Sequence, residues 1–269
     1  MVKLKNDEFV ELVEYLKSNY GINLTHKKNL IEGRLGNLLQ ERGFNTFAEY
    51  LVEVFADRSK QEMMTLINKL TTNHTFFMRE ASHFDYFRDR VLPYLVDTVT
   101  DKDLRIWSAG CSYGQEPYTL AMILADYFAS EKTVWNSKIL ATDISVEALQ
   151  KAEKGIYTAE DVQGIPPGWK LNYFSAVDKN FQVCSKIRNE VIYRVFNLID
   201  EVLPFKRKFH IIMCRNVMIY FDEPTKNKLI DKFYEITEPG GYLFIGHAES
   251  INKLTSRYKF VMPAVYRKG

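Results

Sequence analysis

The chain has 269 residues, enough for one large domain or for a medium domain and a small one. Hydrophobic residues make up 46% and charged residues 26%, a balance that is typical of globular proteins and excludes a disordered or collagen-like chain. The formal net charge of +2 gives no overall electrostatic reason to expect binding to nucleic acid or to a membrane surface.

The first seventy or so residues have the apolar spacing of helices. Phe9, Leu12 and Leu16 recur at intervals of three and four residues, and Gly21 ends this first pattern. Similar patterns cover residues 27–42, 47–55 and 63–70. The sequence therefore predicts a small all-helical domain at residues 1–72.

From Leu104 onward, short apolar runs alternate with helical stretches. The predicted strands are LRIWSAG, KILATDI, VIYRVFNL, FHIIMCRNVMIY and GYLFIGH, and helices are predicted between them, the last across residues 225–237. This alternation is typical of parallel strands joined by crossover helices. The fold class is therefore α/β, with a doubly wound sheet in a domain at residues 85–269.

The regular alternation is interrupted between Gly155 and Arg194. Segments such as GIPPGWKLNYFSAV and FQVCSKIR alternate only roughly between apolar and polar residues. We interpret residues 156–194 as an insertion that forms a small antiparallel β structure.

The junction of the strand LRIWSAG with CSYGQEP is a candidate ligand site, because ligands of open α/β sheets bind beyond the carboxyl ends of the strands. Gly110 and Gly114 could allow the backbone to approach a ligand, or could only form a tight turn into the next helix. The loop has neither the Gly-Lys-Ser/Thr nor the G-x-G-x-x-G phosphate-binding pattern.

Asp143 ends the next predicted strand, where a carboxylate can accept hydrogen bonds from two ribose hydroxyls. Alternatively, Asp143 could cap the following helix, a role for which Ser145 is equally suited. A nucleoside site without a pyrophosphate-binding fingerprint favours S-adenosylmethionine (SAM) over a nicotinamide dinucleotide.

The segment TTNHTFFMRE places Asn73, Thr75 and Arg79 at the predicted boundary between the two domains, a common location for ligand sites. The alternative is that Thr72 or Asn73 caps a helix and that Arg79 lies on a solvated face.

Together these motifs resemble one family. TTNHTFFMRE, IWSAGCSYGQEPYTLAM, ILATDIS, FNL, IIMCRNVMIYFD and PGGYLFIGHAES occur in the order found in the chemotaxis receptor methyltransferases, the CheR family. The resemblance implies a SAM-dependent protein-glutamate O-methyltransferase. Such an enzyme forms glutamate methyl esters on chemoreceptors, with S-adenosylhomocysteine as product, in sensory adaptation.

The resemblance also implies roles for individual residues. Asn73, Thr75 and Arg79 would approach the methionine end of the cofactor, with residues 73–84 as a linker that contributes to the site. The remaining implied cofactor-binding residues are Glu116 at the amino group, Asp143 at the ribose, Asn197 and Leu198 beside the adenine, and Arg215 and Asn216 closing the site. Asn197 could instead only shape a strand end, and Arg215 could only pair with a local acid.

The chemistry implied by the family needs no general base, because a glutamate carboxylate is ionised at neutral pH and can attack the methyl group directly. Arg79 could steer this carboxylate and Tyr220 could position it through its hydroxyl group. Tyr220 could equally be a core aromatic residue.

The resemblance implies the helical cytoplasmic domains of methyl-accepting chemotaxis receptors as partners, and a receptor C-terminal peptide as a candidate ligand of the insertion. Three widely spaced cysteines without a Cys-x-x-Cys pattern, together with the lack of a signal peptide or an apolar span, predict a cytoplasmic protein. By the resemblance, this protein would be recruited to membrane receptor arrays. No nucleic acid and no metal is expected, since the five histidines show no ligand spacing.

Two other functions fit parts of this pattern. The first is methylation of another acceptor, such as RNA or a small molecule, because the cofactor half of the fold serves many acceptors. No Asn-Pro-Pro-Tyr or Asp-Pro-Pro-Tyr motif follows the fourth strand, which disfavours methylation of an amino group. The second is a nucleoside-binding module without transferase activity.

Overall fold

The computed structural model describes residues 2–71, 74–252 and 256–269. These residues form two compact units. One unit comprises the residues up to His74 together with Tyr220–Lys226, and the other comprises Thr75–Ile219 and Asn227–Gly269. Among the described residues, no helix is both long enough and apolar enough to cross a lipid bilayer.

The N-terminal unit is helical, as the apolar spacing predicts. Its helices are α1 Asn6–Tyr20, α2 Lys28–Glu41, α3 Phe47–Ala56 and α4 Gln61–Leu70. Gly21 ends α1 in a left-handed conformation with φ 72°, and Thr46 caps α3 by accepting the N–H of Glu49 at 3.2 Å. Most apolar positions of the helical pattern are buried and form the core of this unit, among them Leu12, Leu16, Leu35, Leu39 and Leu66.

The second unit is built on a seven-stranded mixed sheet. The strands, in chain order, are β1 Ile106–Ala109, β2 Ile139–Asp143, β6 Val191–Val195, β7 Phe209–Cys214, β8 Thr237–Ile245, β9 Lys259–Met262 and β10 Val265–Arg267, with β3 Ile156–Tyr157, β4 Phe174–Val177 and β5 Asn180–Val183 forming a separate antiparallel sheet. The order in the large sheet is β6-β2-β1-β7-β8-β10-β9. The first five strands are parallel, whereas β10 pairs antiparallel with both β8 and β9.

Helices precede, connect and follow the parallel strands of this unit. They are α5 Ala81–Tyr86, α6 Leu92–Thr98, α7 Gln115–Phe128, α8 Val146–Lys154, α9 Pro167–Tyr173, α10 Ser185–Arg188 and α11 Glu223–Ile236. Of these, α7 joins β1 to β2, α8 follows β2, and α11 joins β7 to β8. A π-helical turn at Phe87–Val91 joins α5 to α6, and α11 begins in the other unit. Trp107 of β1 is fully buried against the rings of Phe205, Phe209 and Phe233.

The predicted fold class is confirmed, including the small antiparallel sheet within the insertion. The sequence pattern did not indicate β9 and β10, and it placed the start of β8 too late. Strand β8 begins at Thr237, and Gly240, with φ 75°, lies within a register shift between β7 and β8. The Pro-Gly-Gly sequence is thus an irregularity inside the strand and does not precede it.

Candidate active site

The candidate site lies at the carboxyl ends of adjacent parallel strands. β1 is paired with both β2 and β7, and β2 is also paired with β6. Because these ends meet at one edge of the sheet, the structure brings together Asp143, Arg215 and Asn197, which follow or end β2, β7 and β6. This is the edge at which the sequence predicted a ligand site.

The loop after β1 requires glycine at two positions. Gly110 has φ 82°, and a Cβ atom there would lie 2.4 Å from Cγ2 of Val217. Gly114 has φ 90°, and its Cβ atom would lie 2.8 Å from the hydroxyl of Tyr193. Both glycines therefore form a tight strand-to-helix turn, and at Gly110 the close packing also excludes a side chain.

Asp143 anchors this loop to the end of β2. One oxygen of its carboxylate accepts the N–H of Ser112 at 2.8 Å, and the other accepts the N–H of Ser145 at 2.9 Å. The cap of α8 is Ser145, whose hydroxyl accepts the N–H of Ala148, so the helix-cap interpretation of Asp143 is wrong. Burial raises the pKa of the Asp143 carboxyl, and the backbone N–H donors oppose this effect.

Glu116 and Arg215 form a buried ion pair at the centre of the site. Oε2 of Glu116 accepts a hydrogen bond from Nη1 of Arg215 at 3.0 Å, and Oε1 accepts the hydroxyl of Ser108 at 2.7 Å. Burial raises the pKa of the Glu116 carboxyl, and the positive charge of Arg215 opposes the shift. Arg215 does pair with an acid, as the alternative interpretation held, but that acid is itself a predicted site residue.

Glu80 is a site residue that the sequence analysis missed. Its carboxylate accepts hydrogen bonds from Nη2 of Arg215 at 3.0 Å, from Nδ2 of Asn216 at 3.3 Å and from the N–H of His247 at 3.1 Å. Burial raises the pKa of Glu80, but the backbone donor and Arg215 outweigh it, so the pKa lies below its ordinary value. The sequence feature that could have identified Glu80 is its position directly after the predicted site residue Arg79.

The segment that carries Arg79 is fixed at both ends. Phe77 is buried, and its ring lies 4.8 Å from the ring of Tyr157 in the insertion, measured between centroids. Beyond it, the carbonyl oxygen of Arg79 accepts a hydrogen bond from Arg215. This segment therefore connects the insertion to the end of β7.

Glu249 is a second residue that the sequence analysis missed, although it lies within the motif GHAES. Its carboxylate accepts the backbone N–H groups of Asn216 at 2.9 Å and of Ile219 at 3.1 Å, and also that of Gly246. A Cβ atom at Gly246 would lie 2.4 Å from Nδ2 of Asn216. Glu249 and Gly246 together hold the backbone of Asn216 in place.

Several non-glycine residues around the site have left-handed backbones. Their φ values are 61° at Met78, 56° at Glu80, 48° at Ser112 and 61° at Asn216. Such conformations cost about 1–3 kcal/mol each and cluster at functional sites. The hydrogen bonds of Glu80 and Glu249 hold two of these strained positions.

Asn197 and Leu198 follow β6. The N–H of Phe196 donates to the carbonyl of Asp143 at 3.0 Å, which brings Asn197 to the same edge as Asp143. Oδ1 of Asn197 accepts the N–H of Ile199 at 3.4 Å, so this side chain does shape the strand end, and Leu198 is buried.

The other predicted residues are placed as follows. Thr75 is half-buried at the start of the segment that leads to Arg79. Tyr220 ends a 3₁₀ turn and groups with the helical unit, where its carbonyl accepts the N–H of Asn23 at 2.8 Å. Asn73 lies outside the described residues.

The residues of this edge fit a polar ligand that carries a cation and hydroxyl groups. Glu116 and Asp143 supply carboxylates that are half-buried, while Oγ of Ser112 and Nε of Arg215 are buried without a hydrogen-bond partner among the described residues. This donor set matches the amino, carboxylate and ribose groups of SAM.

Comparison with known proteins agrees with this fit. Residues 73–266 match the family model described as CheR methyltransferase, SAM binding domain, and residues 7–71 match CheR methyltransferase, all-alpha domain. A chemotaxis protein methyltransferase of Borreliella burgdorferi is 41% identical over 100% of this chain and 96% of its own length. A probable one of Rhizobium etli is 36% identical, covering 87% and 89%, and that of Escherichia coli is 33% identical, covering 98% and 91%. The chain therefore belongs to the CheR family, and it is a SAM-dependent methyltransferase.

Proposed function

We propose that this enzyme transfers the methyl group of SAM to glutamate carboxylates of chemoreceptors, which gives glutamate methyl esters and S-adenosylhomocysteine. The observation that carries the proposal is the buried Glu116–Arg215 pair beside Asp143 at the carboxyl edge of the sheet. The names of the relatives as chemotaxis protein methyltransferases support the choice of acceptor.

Each site residue would contact a different part of the cofactor. The carboxylate of Asp143 would accept the ribose hydroxyls, and that of Glu116 would accept the amino group. Asn197 and Leu198 would border the adenine, whereas Asn73, Thr75 and Arg79 would approach the methionine end and Arg215 and Asn216 would close the site. When bound, SAM supplies a methyl group on a positively charged sulfur atom.

The residues of the enzyme have only to bind and align the acceptor. A glutamate side chain has a reference pKa of about 4.3 and is ionised at neutral pH, so no proton has to be removed before attack. The guanidinium of Arg79 would orient this carboxylate, and the hydroxyl of Tyr220 would donate a hydrogen bond to it. We propose residues 73–84 as the linker that supplies Arg79, between domains at residues 1–72 and 85–269.

The helical unit would bind the helical cytoplasmic domains of the receptors, and the candidate contacts are four bases in α2 or directly beside its ends, namely Lys27, Lys28, Arg34 and Arg42. Two of these bases are already engaged within the unit: Arg34 donates to the carbonyl of Leu70, and Arg42 pairs with Glu62. Lys27 is exposed, and the ammonium of Lys28 donates a hydrogen bond to the amide oxygen of Asn6 at the surface. These two lysines are therefore the better candidates.

The insertion would bind the C-terminal peptide of a receptor. Strand β4 pairs only with β5 in the three-stranded sheet, so one of its edges has backbone groups free to pair with an added strand. With receptors as its substrates, the enzyme would act in the cytoplasm, at the receptor arrays of the membrane.

The ester bond gives the decisive test. Receptor-containing membranes are incubated with SAM that carries a tritiated methyl group, and the labelled receptor is then treated with mild alkali. Release of labelled methanol, and loss of labelling when the acceptor glutamates are replaced by alanine, is the expected result. Label that survives alkali, or that appears on added RNA in place of the receptor, would overturn the proposed acceptor.

The pH dependence tests the absence of a general base. The rate should show no loss near the histidine pKa of about 6.5, because the acceptor stays ionised down to about pH 5. A limb near pH 6.5 with an alkali-labile ester would contradict only the base-free mechanism.

A further inference from the structure

A cluster of three metal-ligating side chains lies beside the candidate active site. Ligand atoms of Glu80, His83 and His247 all lie within 4.8 Å of one another. Nδ1 of His83 is 3.4 Å from Oε2 of Glu80, and the two imidazole rings are 4.5 Å apart between centroids. His83 and His247 are 164 positions apart in the sequence, so no local His–His ligand spacing marks this cluster.

His83 is the part of this cluster that needs an explanation. Its side chain is fully buried, and its ring faces Glu80 and the backbone of Pro263, but neither ring nitrogen meets the geometry of a regular hydrogen bond with the described residues. A buried imidazole that is only weakly hydrogen-bonded is costly, whereas coordination to a metal ion would use a nitrogen lone pair.

The ligand set suggests which ion would bind. Two histidines and one glutamate, with further positions open to water, form a common site for Zn²⁺. Imidazole ligands select borderline transition metals over Mg²⁺ or Ca²⁺, which prefer oxygen. His247 is exposed and gives an ion access from solvent.

We propose that Glu80, His83 and His247 bind a borderline divalent ion such as Zn²⁺, and that this ion inhibits cofactor binding. The inhibition follows from Glu80, whose two oxygens already accept hydrogen bonds from Arg215, Asn216 and the backbone of His247. An ion that takes one of these oxygens weakens the hold of Glu80 on Arg215, which also contacts Glu116. The inhibitory part of this proposal rests on the proposed cofactor site, whereas the binding part does not.

Metal binding is measured first, without cofactor. Co²⁺ is titrated into the metal-free full chain, and the visible absorption that arises from nitrogen and oxygen ligation is followed; competition with Zn²⁺ then gives the Zn²⁺ affinity. One ion per chain is expected. His247→Ala should weaken binding by at least about tenfold, since even residues that only support a ligand typically contribute that much. His26→Ala, at an exposed histidine of the helical unit, is the matched control and should leave binding unchanged.

A second variant, His83→Phe, tests the buried ligand, with thermal unfolding to establish that it folds. No stoichiometric Co²⁺ absorption, or equal affinities in the parent, His247→Ala and His26→Ala chains, would overturn the site. This result does not depend on methyl transfer.

The coupling is measured by calorimetry with S-adenosylhomocysteine. Saturating Zn²⁺ should weaken the binding of S-adenosylhomocysteine to the parent at least about fivefold and should leave its binding to the His247→Ala variant unchanged. Because the two binding equilibria are linked, S-adenosylhomocysteine must weaken Zn²⁺ binding to the parent by the same factor. Unchanged affinity in the parent with Zn²⁺ bound would overturn the inhibition. Failure of the metal-free parent to bind the compound would instead count against the proposed cofactor site.

Discussion

Nη1 of Arg215 and Oε2 of Glu116 lie 3.0 Å apart, although 99 residues separate them in the sequence. Arg215 follows β7 and Glu116 lies in the first turn of α7 after β1, and the contact exists because β1 and β7 are parallel neighbours. Both side chains are largely buried, at 2% and 14% exposure. Removing Arg215 would leave the Glu116 carboxylate without its ion-pair partner, whereas Arg215 would still pair with Glu80 if Glu116 were removed.

Asp143→Ala should weaken the binding of S-adenosylhomocysteine at least about tenfold, because the ribose hydroxyls and the N–H of Ser112 would lose their acceptor. Calorimetry measures the change. Asp97→Ala, at an exposed position on α6, is the control. If Asp143→Ala binds S-adenosylhomocysteine with an affinity within about threefold of that of the parent, Asp143 does not contribute to the cofactor site.

Arg79→Ala should lower turnover much more than it lowers the melting temperature. The carbonyl of Arg79, which accepts the hydrogen bond of Arg215, is retained in the variant, so the segment keeps this anchor. The proposed role of the side chain is to align the acceptor, so its loss should act mainly on turnover. Normal methylation combined with a much lower melting temperature would show that Arg79 has a structural role and does not align the acceptor. The same two measurements on Tyr220→Phe test whether the Tyr220 hydroxyl donates a hydrogen bond to the acceptor.

Glu249→Gln should destabilise the protein and lower turnover. A carboxylate can accept the N–H groups of Asn216, Ile219 and Gly246, whereas a carboxamide turns one NH₂ group toward these donors. The expected loss is about 1–3 kcal/mol in the free energy of unfolding. Glu201→Gln, at an exposed residue, is the control for urea unfolding and for kcat. A Glu249→Gln enzyme with unchanged stability and kcat would show that the strained Asn216 does not need this anchor.

Stability should fall as the pH is lowered from about 6.5 toward 4, in part through His210. Burial lowers the pKa of His210 from 6.5 to about 4, with help from the charge of Arg105. The unfolded chain therefore takes up a proton at a higher pH than the folded protein does, and the contribution of His210 is present above pH 6.5 and lost below it. At about pH 5 the loss amounts to about 1–2 kcal/mol.

His210→Asn isolates this contribution, because its amide oxygen can replace Nδ1 as the acceptor of the N–H of Arg105, at 3.1 Å in the parent. Urea unfolding at about pH 7.5 and about pH 5 should show a smaller loss of stability in this variant than in the parent. Equal losses would mean that His210 is not among the groups responsible. His26→Asn should behave as the parent does, since His26 is exposed.

Replacing Lys27 and Lys28 together by glutamate should lower receptor methylation with little change in the melting temperature, because Lys27 is exposed and the half-buried Lys28 donates a hydrogen bond to the exposed side chain of Asn6. Arg34→Glu should instead destabilise the helical unit, since Arg34 donates to the carbonyl of Leu70 at the end of α4. Unchanged methylation by the double lysine variant would end the proposal that this surface binds the receptor.

The sequence by itself determined the fold class and the family. Apolar spacing is a local property, so it identified α1 to α4, the five parallel strands and the insertion. Asp143, which ends β2, and Arg215, which follows β7, could be predicted to lie at one edge of the sheet because parallel strands present their carboxyl ends together. The sequence motifs identified the family, and the comparison with known proteins confirms this identification.

Only the tertiary structure decided which groups hold these residues in position. Glu80 and Glu249 act through backbone N–H groups and side chains up to 167 residues away, and no local pattern marks an acid that accepts such bonds. The short strands β9 and β10 likewise depend on pairing with β8, not on a run of apolar residues. His83 and His247 meet because α5 packs near the end of β8, so their cluster with Glu80 exists only in the folded chain.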